Sequence, residues 1–314
     1  MINVSMIDAV ACALTYIEYI VDLCYTYKYR SQIYSYYYNF DQIDAVFKMK
    51  YNEDIKQSVI TLLAILLTSL FIASLGEISV WASSGGWAAT VSYSVSYFIF
   101  LIRLLIALDF IFQTKHVRLR LKGIADHIKE CASIAEDSAC RMKTVRNVTV
   151  KHVRVLPVIS KCRCAIAKSS SCYLLLIDQT KFLNGFFGLR VLLHCLYTLI
   201  EMIMFVNIVA RSITVTSYVL LAPNILRIIN CVSVLTIMVY YCEACCRQSG
   251  DIIDAIDHYL VNKKTSESLH SFILKLIVLL SFSAAGFFYM ESTLLLSLVS
   301  VVITYALILV QTTQ

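Results

Sequence analysis

Charged residues and prolines are both scarce in this chain of 314 residues. Asp, Glu, Lys and Arg make up 15% of the sequence, whereas hydrophobic residues make up 59%, and the mean hydropathy is +0.73. Such values exclude an ordinary soluble domain of this length and indicate a polytopic membrane protein. The only two prolines, Pro157 and Pro223, fall outside the interiors of the predicted spans, so we expect no proline-kinked span. We predict an all-α membrane helical bundle.

The sequence also lacks a pattern for structural disulfides, metal sites or catalysis. Most of the twelve cysteines lie in or beside segments predicted to be cytoplasmic, where thiols stay reduced. The pair Cys162 and Cys164 and the group Cys242, Cys245 and Cys246 lack the histidine pair or second Cys-x-x-Cys of a zinc site. The histidines are scattered without paired nucleophiles. We therefore expect no metal, no cofactor and no enzymatic activity.

Basic residues are distributed unevenly along the chain. They are concentrated in 28–56, 113–186 and 244–269, whereas 80–87, 212–222 and the C-terminal tail contain neither Lys nor Arg. By the positive-inside rule, the first three segments are cytoplasmic and the others, including the C-terminus, are extracellular. Because this asymmetry accounts for the net charge of +6, no nucleic-acid partner is expected.

The first hydrophobic segment, residues 8–27, is a weak span because Glu18 and Asp22 lie one helical turn apart in it. One face of this helix must look toward protein or water, and a helix lying on the membrane surface is the alternative. Residues 28–56 then form a cytoplasmic connection. A tight Ser-Ser-Gly-Gly turn predicts a membrane helical hairpin over 57–112.

The second of these helices is predicted to continue into the cytosol, because Val117, Leu121 and Ile124 keep helical spacing. The basic region 113–186 is too rich in Val, Ile and Leu for a disordered linker, so we expect a cytosolic helical region broken at Pro157.

Two further membrane helices are predicted within 187–243, and the second extends into the cytosol to about residue 260. The last hydrophobic block, 268–313, is interrupted at Gly286 and again at Glu291. Hydropathy alone reads this block as two spans. It is equally compatible with one cytosolic apolar helix, a hinge at Gly286 and a single span.

The last helix carries a polar stripe. Thr304, Ile308 and Gln311 fall at i, i+4 and i+7, so they share one helical face. In a spanning helix such a face must meet protein or water, and four or more copies with their stripes inward would line an aqueous pore. The plainer alternative is that Thr304 bonds its own i−4 carbonyl and Gln311 lies at the headgroup boundary. Tyr305 is rotated off the stripe and should pack against a neighbouring helix, where its hydroxyl needs a partner.

Two charges fall inside predicted spans. Arg103 lies well within its span, where a charge is costly and usually paired. Glu201 lies at a comparable depth on another helix, and His194 is two turns away on the same face. We expect a structural ion pair, with a gating contact as the alternative.

The C-terminal residues resemble a known family signature. The run from Ser281 to Met290 reads Ser-Phe-Ser-Ala-Ala-Gly-Phe-Phe-Tyr-Met, and Thr304-Tyr305 is followed by five hydrophobic residues and Gln311. This is similar to the insect gustatory receptor family, in which a Phe-Ser-Ala-x-Gly-Phe-Phe run precedes Thr-Tyr, five hydrophobics, Gln and Phe. The matching motif residues are Gly286, Phe287, Phe288, Thr304, Tyr305 and Gln311.

Three departures from the family pattern matter. Thr312 stands where the family has Phe, which argues against an aromatic gate there. In the sugar-sensing branch the sequence at this point resembles Thr-Tyr-Glu, whereas Ala306 stands here in place of Glu, which favours the non-sugar branch. Residues 8–27 correspond best to the second of the family's seven helices, so the first helix is expected to be missing from this sequence.

The resemblance implies a chemosensory receptor that is a ligand-gated, non-selective cation channel at the plasma membrane, opened by a small-molecule tastant. It implies a homo- or heterotetramer around one pore that conducts cations through the lipid bilayer. Residues 286–314 would be the pore helix, and 244–285 would form a cytosolic anchor that holds the subunits together.

The resemblance also places the ligand site in the outer half of each subunit. Outer aromatic and polar side chains should converge there on a cavity, because ligand pockets are mostly apolar with a few polar groups. Our candidates are Tyr93, Tyr97, Met202, Phe205 and Asn224.

Two other functions compete with this interpretation. A seven-helix G-protein-coupled-type receptor follows if both halves of 268–313 span, although the sequence lacks Asp-Arg-Tyr and Asn-Pro-x-x-Tyr motifs at the corresponding helix ends. A small-molecule transporter would be expected to show internal repeats and helices broken by Gly or Pro, and we find no such repeat.

Overall fold

Six helices and one short hairpin make up the part of the chain that the computed structural model describes, residues 4–47, 52–84, 86–144, 152–215, 221–261 and 280–313. The helices are α1 Val4–Phe47, α2 Asn52–Ser84, α3 Gly86–Thr144, α4 His152–Val215, α5 Leu221–Val261 and α6 Ser292–Thr313. Strands β1 Ser283–Ala284 and β2 Phe288–Tyr289 pair antiparallel. The predicted all-α fold class is confirmed.

Several helices are much longer than a bilayer is thick. α1 has 44 residues and α4 has 64. At 1.5 Å per residue they are about 66 and 96 Å long, against about 30 Å for the hydrocarbon core. Few Gly or Pro residues interrupt them, and α4 continues through Pro157 in its second turn, so the predicted break there is wrong.

The segments predicted as connections are therefore extensions of membrane helices. Residues 28–47 belong to α1 and do not form a separate link. The end of α3 and the start of α4 supply the described part of the region predicted as cytosolic helices.

Four of the described helices contain a stretch long and apolar enough to cross a membrane. These stretches are Gln57–Gly76, Ala167–Val209, Asn224–Ile256 and Ser292–Leu309. α1 and α3 carry buried charges in their apolar portions, Glu18 and Arg103 among them, and these charges face neighbouring helices. This arrangement is the one expected of a polytopic membrane bundle.

The best-packed core lies where the extensions of α3, α4 and α5 meet. Val117, Leu121 and Ile124 of α3 are fully buried, as their spacing predicts, and they belong to the same core cluster as Tyr173 of α4 and Ile252 of α5. Burial of such side chains contributes roughly 1.5–3 kcal/mol each. This core therefore holds together the ends of α3, α4 and α5 that are predicted to lie in the cytosol.

A tight hairpin links this core to α6. Ala285 and Gly286 both have positive φ, 53° and 79°, and the Phe287 N–H donates to the Ala284 carbonyl at 3.0 Å. Two consecutive positive φ values are typical of a type I′ turn, which glycine adopts readily. The predicted hinge at Gly286 is thus a β-turn, and the helix predicted to begin there begins at Ser292.

α6 rises alongside α4 in the same direction. Asn184 of α4 contacts the backbone of Ser281 and Ser283 below α6, whereas Asn207 contacts Tyr305 near its far end. The 23 residues between the two asparagines correspond to about 35 Å of helix. α4 therefore supports the C-terminal segment over a distance similar to the thickness of a membrane.

Candidate functional site

Within the described part of the subunit, α6 contacts the other helices on one side only. The half-buried positions recur at helical spacing and face mainly α4: Leu294, Leu295, Leu298, Val302, Tyr305, Ala306 and Leu309. Within the candidate span Ser292–Leu309 no residue is fully buried. A single subunit therefore leaves most of its most apolar helix uncovered.

One exposed side of α6 is polar. It contains the three predicted residues and extends toward the start of the helix, with spacings of four, three, four, four and three. Its members, all exposed, are Thr293, Ser297, Ser300, Thr304, Ile308 and Gln311, and we call them the polar stripe. The Thr304 hydroxyl donates to the Ser300 carbonyl at 2.8 Å, as the plainer alternative expects, and it keeps lone pairs free to accept from water.

A second exposed side of α6 is apolar. Leu296, Val299, Ile303 and Leu307 lie on it, and we call them the apolar flank. Leu296 is 72% exposed and Leu307 is 59% exposed. α6 thus presents two uncovered surfaces of different chemistry, one suited to water and the other to apolar neighbours.

Tyr305 joins α6 to α4, as its position off the stripe predicts. Its hydroxyl lies 2.8 Å from the amide nitrogen of Asn207 and 3.1 Å from the amide oxygen. The Asn207 amide nitrogen also donates to the Ile203 carbonyl at 2.9 Å, which holds the amide in place. The side chain of Thr312, the other predicted gate residue, lies outside the described part of the structure.

The hairpin that precedes α6 is held in place by residues of α4, and we call these contacts the clamp. The Asn184 amide nitrogen donates to the Ser281 carbonyl at 2.8 Å, and its amide oxygen accepts from the Ser283 N–H at 3.2 Å. One turn further, a side chain at Gly188 would bring its Cβ 2.8 Å from the backbone nitrogen of Ala285, so only glycine fits. This close contact gives a physical reason for an Asn-Gly-Phe-Phe-Gly sequence on α4.

The other motif residues lie in this hairpin. Gly286 occupies the left-handed turn position, Phe287 is exposed, and Phe288 packs against the core. They shape the turn that leads into α6 and are separate from the polar stripe.

The intramembrane charges are paired, but with partners other than those predicted. Arg103 forms an ion pair with Glu18 of α1, and its guanidinium lies 3.4 Å from the ring centre of Tyr197. Glu201 pairs instead with Arg227 of α5 at 2.5 Å. Arg103 and Glu201 are thus each paired with a residue on another helix, and a direct pair between the two stays a prediction.

A third ion pair connects α1 to α4. Arg190 lies 2.6 Å from Asp22 and also donates to the Thr26 hydroxyl at 3.0 Å. Glu18 and Asp22 therefore turn toward protein, one of the two environments that their spacing predicts, and a membrane span over residues 8–27 stays a prediction. Together, the three pairs balance three carboxylates against three guanidinium groups.

Comparison with known proteins identifies the family of this fold. Residues 2–314 match the model of the 7tm chemosensory receptor family. The chain belongs to this family. The solved structure of the insect olfactory receptor OR5 from Machilis hrabei is similar, with a TM-score of 0.70, 13% sequence identity, and coverage of 98% of this chain and 82% of that one. No curated protein matches the sequence. The chain is thus a multi-pass membrane chemoreceptor with an insect-receptor fold.

The structure describes the side chains of only some of the residues predicted to line the ligand pocket. Met202 and Phe205 of α4 and Asn224 of α5 are half-buried, whereas the side chains of Tyr93 and Tyr97 lie outside the described part. The pocket stays a prediction. Among the described residues, a small cavity lined by charged and apolar side chains lies about two helical turns deeper, beside Arg103 and His194.

Sequence reasoning missed Asn207 and the contacts that Asn184 makes. Both residues face partners nearly a hundred residues away, and no local pattern reveals such contacts. The extension of the polar stripe to Thr293 could have been found by continuing the same helical spacing toward the N-terminus.

Proposed function

We propose that this receptor is a gustatory receptor subunit that acts as a ligand-gated, non-selective cation channel, opened by a small-molecule tastant. In this proposal four like or related subunits surround one pore in the plasma membrane. The observation that carries the proposal is that α6 leaves a polar stripe and an apolar flank uncovered in the single chain.

The chemistry of the two uncovered surfaces supports a pore. A row of hydroxyl and amide groups facing lipid is unfavourable, because the bilayer core offers no hydrogen-bond partners. Four stripes around an axis would face water, and each apolar flank would then face a neighbouring subunit or lipid. The described stripe contains no charged side chain, so it would not bind one ion strongly, which fits weak selectivity.

Ile308 is the candidate for the closed constriction. It is the apolar member of the stripe, and a narrow ring of four isoleucines can block ions by excluding water. Gln311 would add neutral amides on the outer side, and Thr304 would keep the inner side wet. Thr312 replaces the bulky aromatic of the family pattern, which leaves Ile308 as the better gate candidate.

The test is a substitution that makes the proposed constriction at Ile308 polar, so that water can enter it. Ile308→Ser should raise the current measured without ligand, because a hydroxyl ring no longer excludes water. Ile303→Ser makes the same chemical change on the apolar flank and serves as the matched control. If Ile308→Ser reaches the cell surface and its basal current equals that of Ile303→Ser, the proposed gate is wrong.

The alternative of a seven-helix G-protein-coupled-type receptor requires residues 268–285 to cross the membrane. The Leu280 N–H donates to the Ser249 hydroxyl at 3.3 Å, and that hydroxyl lies 2.5 Å from the hydroxyl of Tyr173. Leu280 is therefore packed beside the lower parts of α4 and α5, on the side where α5 ends. This geometry favours a single crossing by α6. The transporter alternative gains no support from any described feature.

A further inference from the structure

A small cavity lined by both charged and apolar side chains lies between α1, α3, α4 and α5, separate from α6. Glu18, Arg103, Arg190 and His194 line it together with apolar side chains such as Val191, and its volume is about 10 Å³. About 10–15 Å³ is the smallest volume that holds one water molecule. The cavity is therefore polar enough and just large enough for a single small hydrogen-bonding group.

His194 is the residue of this cavity whose polar atoms are unaccounted for. Its side chain is buried, with a relative exposure of 5%, and neither ring nitrogen has a hydrogen-bond partner among the described residues. The carboxylate and guanidinium groups nearby are already engaged in the pairs Glu18–Arg103 and Asp22–Arg190. Burial of a polar group without a hydrogen-bond partner is unfavourable, so we expect a partner for His194 that the described residues do not supply.

The charges around His194 define the chemistry of that partner. Burial of the side chain disfavours a charged ring, and the nearby Arg103 would repel it, so the imidazole is neutral. A neutral imidazole has one N–H donor and one acceptor nitrogen. The matching group both donates and accepts a hydrogen bond and carries no charge, and a hydroxyl group does so within the space available.

We propose that this cavity is a binding site for one hydroxyl group, which hydrogen-bonds to a ring nitrogen of His194 beside the Glu18–Arg103 pair. The hydroxyl belongs either to an ordered water molecule or to a small organic ligand that reaches down from the outer half of the bundle. This site depends on how α1, α3, α4 and α5 pack and has no lining residue from α6, so it stands apart from the proposed pore.

Two variants of the full-length purified receptor test the site. His194→Phe keeps a ring of similar size and removes both polar atoms, whereas His194→Gln keeps one donor and one acceptor. If His194 binds a hydroxyl, the unfolding midpoint of the phenylalanine variant should lie about 2–12 °C below that of the glutamine variant. If His194 binds nothing, removal of an unpaired polar group should leave the midpoint unchanged or raise it.

A pair of matched compounds separates the two sources of the hydroxyl. Unfolding is measured in buffer alone, with 1-hexanol and with its methyl ether. A deficit of the phenylalanine variant in buffer alone, with no difference between the two compounds, assigns the hydroxyl to water. A larger rise with the alcohol than with the ether, seen in the wild type and absent from His194→Phe, assigns it to an organic ligand. Neither a deficit nor an alcohol preference would overturn the proposal.

Discussion

The hydroxyl of Tyr305 lies within hydrogen-bond distance of both polar atoms of the Asn207 amide, 2.8 Å from the nitrogen and 3.1 Å from the oxygen. This contact joins α6 to α4 directly beside Thr304 and one turn below Ile308. Asn207 also lies on the same helix as Met202 and Phe205, two of the predicted ligand contacts. The pair is therefore placed to connect the outer part of α4 with the proposed gate.

Removal of this pair should weaken the attachment of α6 to α4. Tyr305→Phe and Asn207→Ala should each lower the free energy of unfolding by about 0.5–1.5 kcal/mol, the usual net value of such a hydrogen bond. The double variant should lose less than the sum of the two, because both substitutions remove the same contact. Thermal unfolding of the purified receptor measures this, and strictly additive losses would show that the contact contributes nothing.

The lower part of the polar stripe should be accessible from water. In the leaking Ile308→Ser background, a cysteine at Ser300 should react with a membrane-impermeant cationic thiol reagent, and the added charge should block the current. A cysteine at Ile303, on the apolar flank, should be unaffected. Equal sensitivity of the two positions, or block through Ile303 alone, would place the pore on a different side of α6.

The C-terminus should lie outside the cell. α6 runs parallel to α4, and the tail after Gln311 contains no Lys or Arg. An epitope added after Gln314 should therefore bind antibody on intact cells expressing the receptor. An epitope in the basic segment 113–186 should bind only after permeabilisation and is the control. Detection of the C-terminal epitope only in permeabilised cells would favour the G-protein-coupled-type alternative.

The clamp beneath α6 should tolerate no side chain at Gly188. In Gly188→Ala the new Cβ would lie 2.8 Å from the backbone nitrogen of Ala285, so the hairpin must move, at a cost of about 1–3 kcal/mol. Gly250→Ala is the matched control, because no atom lies within 4 Å of its new Cβ and alanine favours a helix by about 0.5–1 kcal/mol. The two variants should therefore shift the unfolding midpoint in opposite directions. A neutral Gly188→Ala would contradict the close approach.

The free energy of unfolding should fall in mild acid, and His116 on the extension of α3 is the residue responsible. Burial lowers the pKa of His116 to about 4, and Arg120 and Lys115 act in the same direction. The His116 Nδ1 atom lies 3.1 Å from Arg120 Nη1, a contact that needs the neutral ring. From pH 6.5 down to 4 the unfolded chain binds a proton that the folded chain does not, so stability is lost across that window. At pH 5 the loss is about 1–2 kcal/mol. His116→Gln should show a smaller drop in unfolding midpoint between pH 7 and 5 than the wild type, and an equal drop would refute the assignment.

Helical spacing allowed part of this arrangement to be predicted, because it depends on local sequence. Val117, Leu121 and Ile124 are buried and Thr304 and Gln311 are exposed, as period 3.6 requires. Gly286 could be recognised in the sequence as an interruption of the hydrophobic block 268–313. That the chain forms a β-hairpin there depends on the contacts of Asn184 and Gly188 of α4, which the sequence does not show.

Pairing between distant residues could not be predicted in the same way. Arg103 could have met any of several carboxylates, and the choice of Glu18 depends on how α1 packs 85 positions away in the sequence. The same holds for Asn207, whose partner lies 98 positions away. A single sequence shows which side of a helix is polar. Many different arrangements of the helices could supply partners for the polar groups on that side.

The balanced charge pairs also constrain how the protein is made. Glu18 and Asp22 emerge from the ribosome long before Arg103 and Arg190, which neutralise them in the finished fold. A single unpaired charge at the bilayer centre costs roughly 2.5–3.5 kcal/mol during insertion. If residues 8–27 span the membrane as predicted, α1 should therefore stay in contact with water or with the insertion machinery until α3 and α4 have been synthesised. We therefore expect α1 to be integrated late, together with the helices whose arginines neutralise its carboxylates.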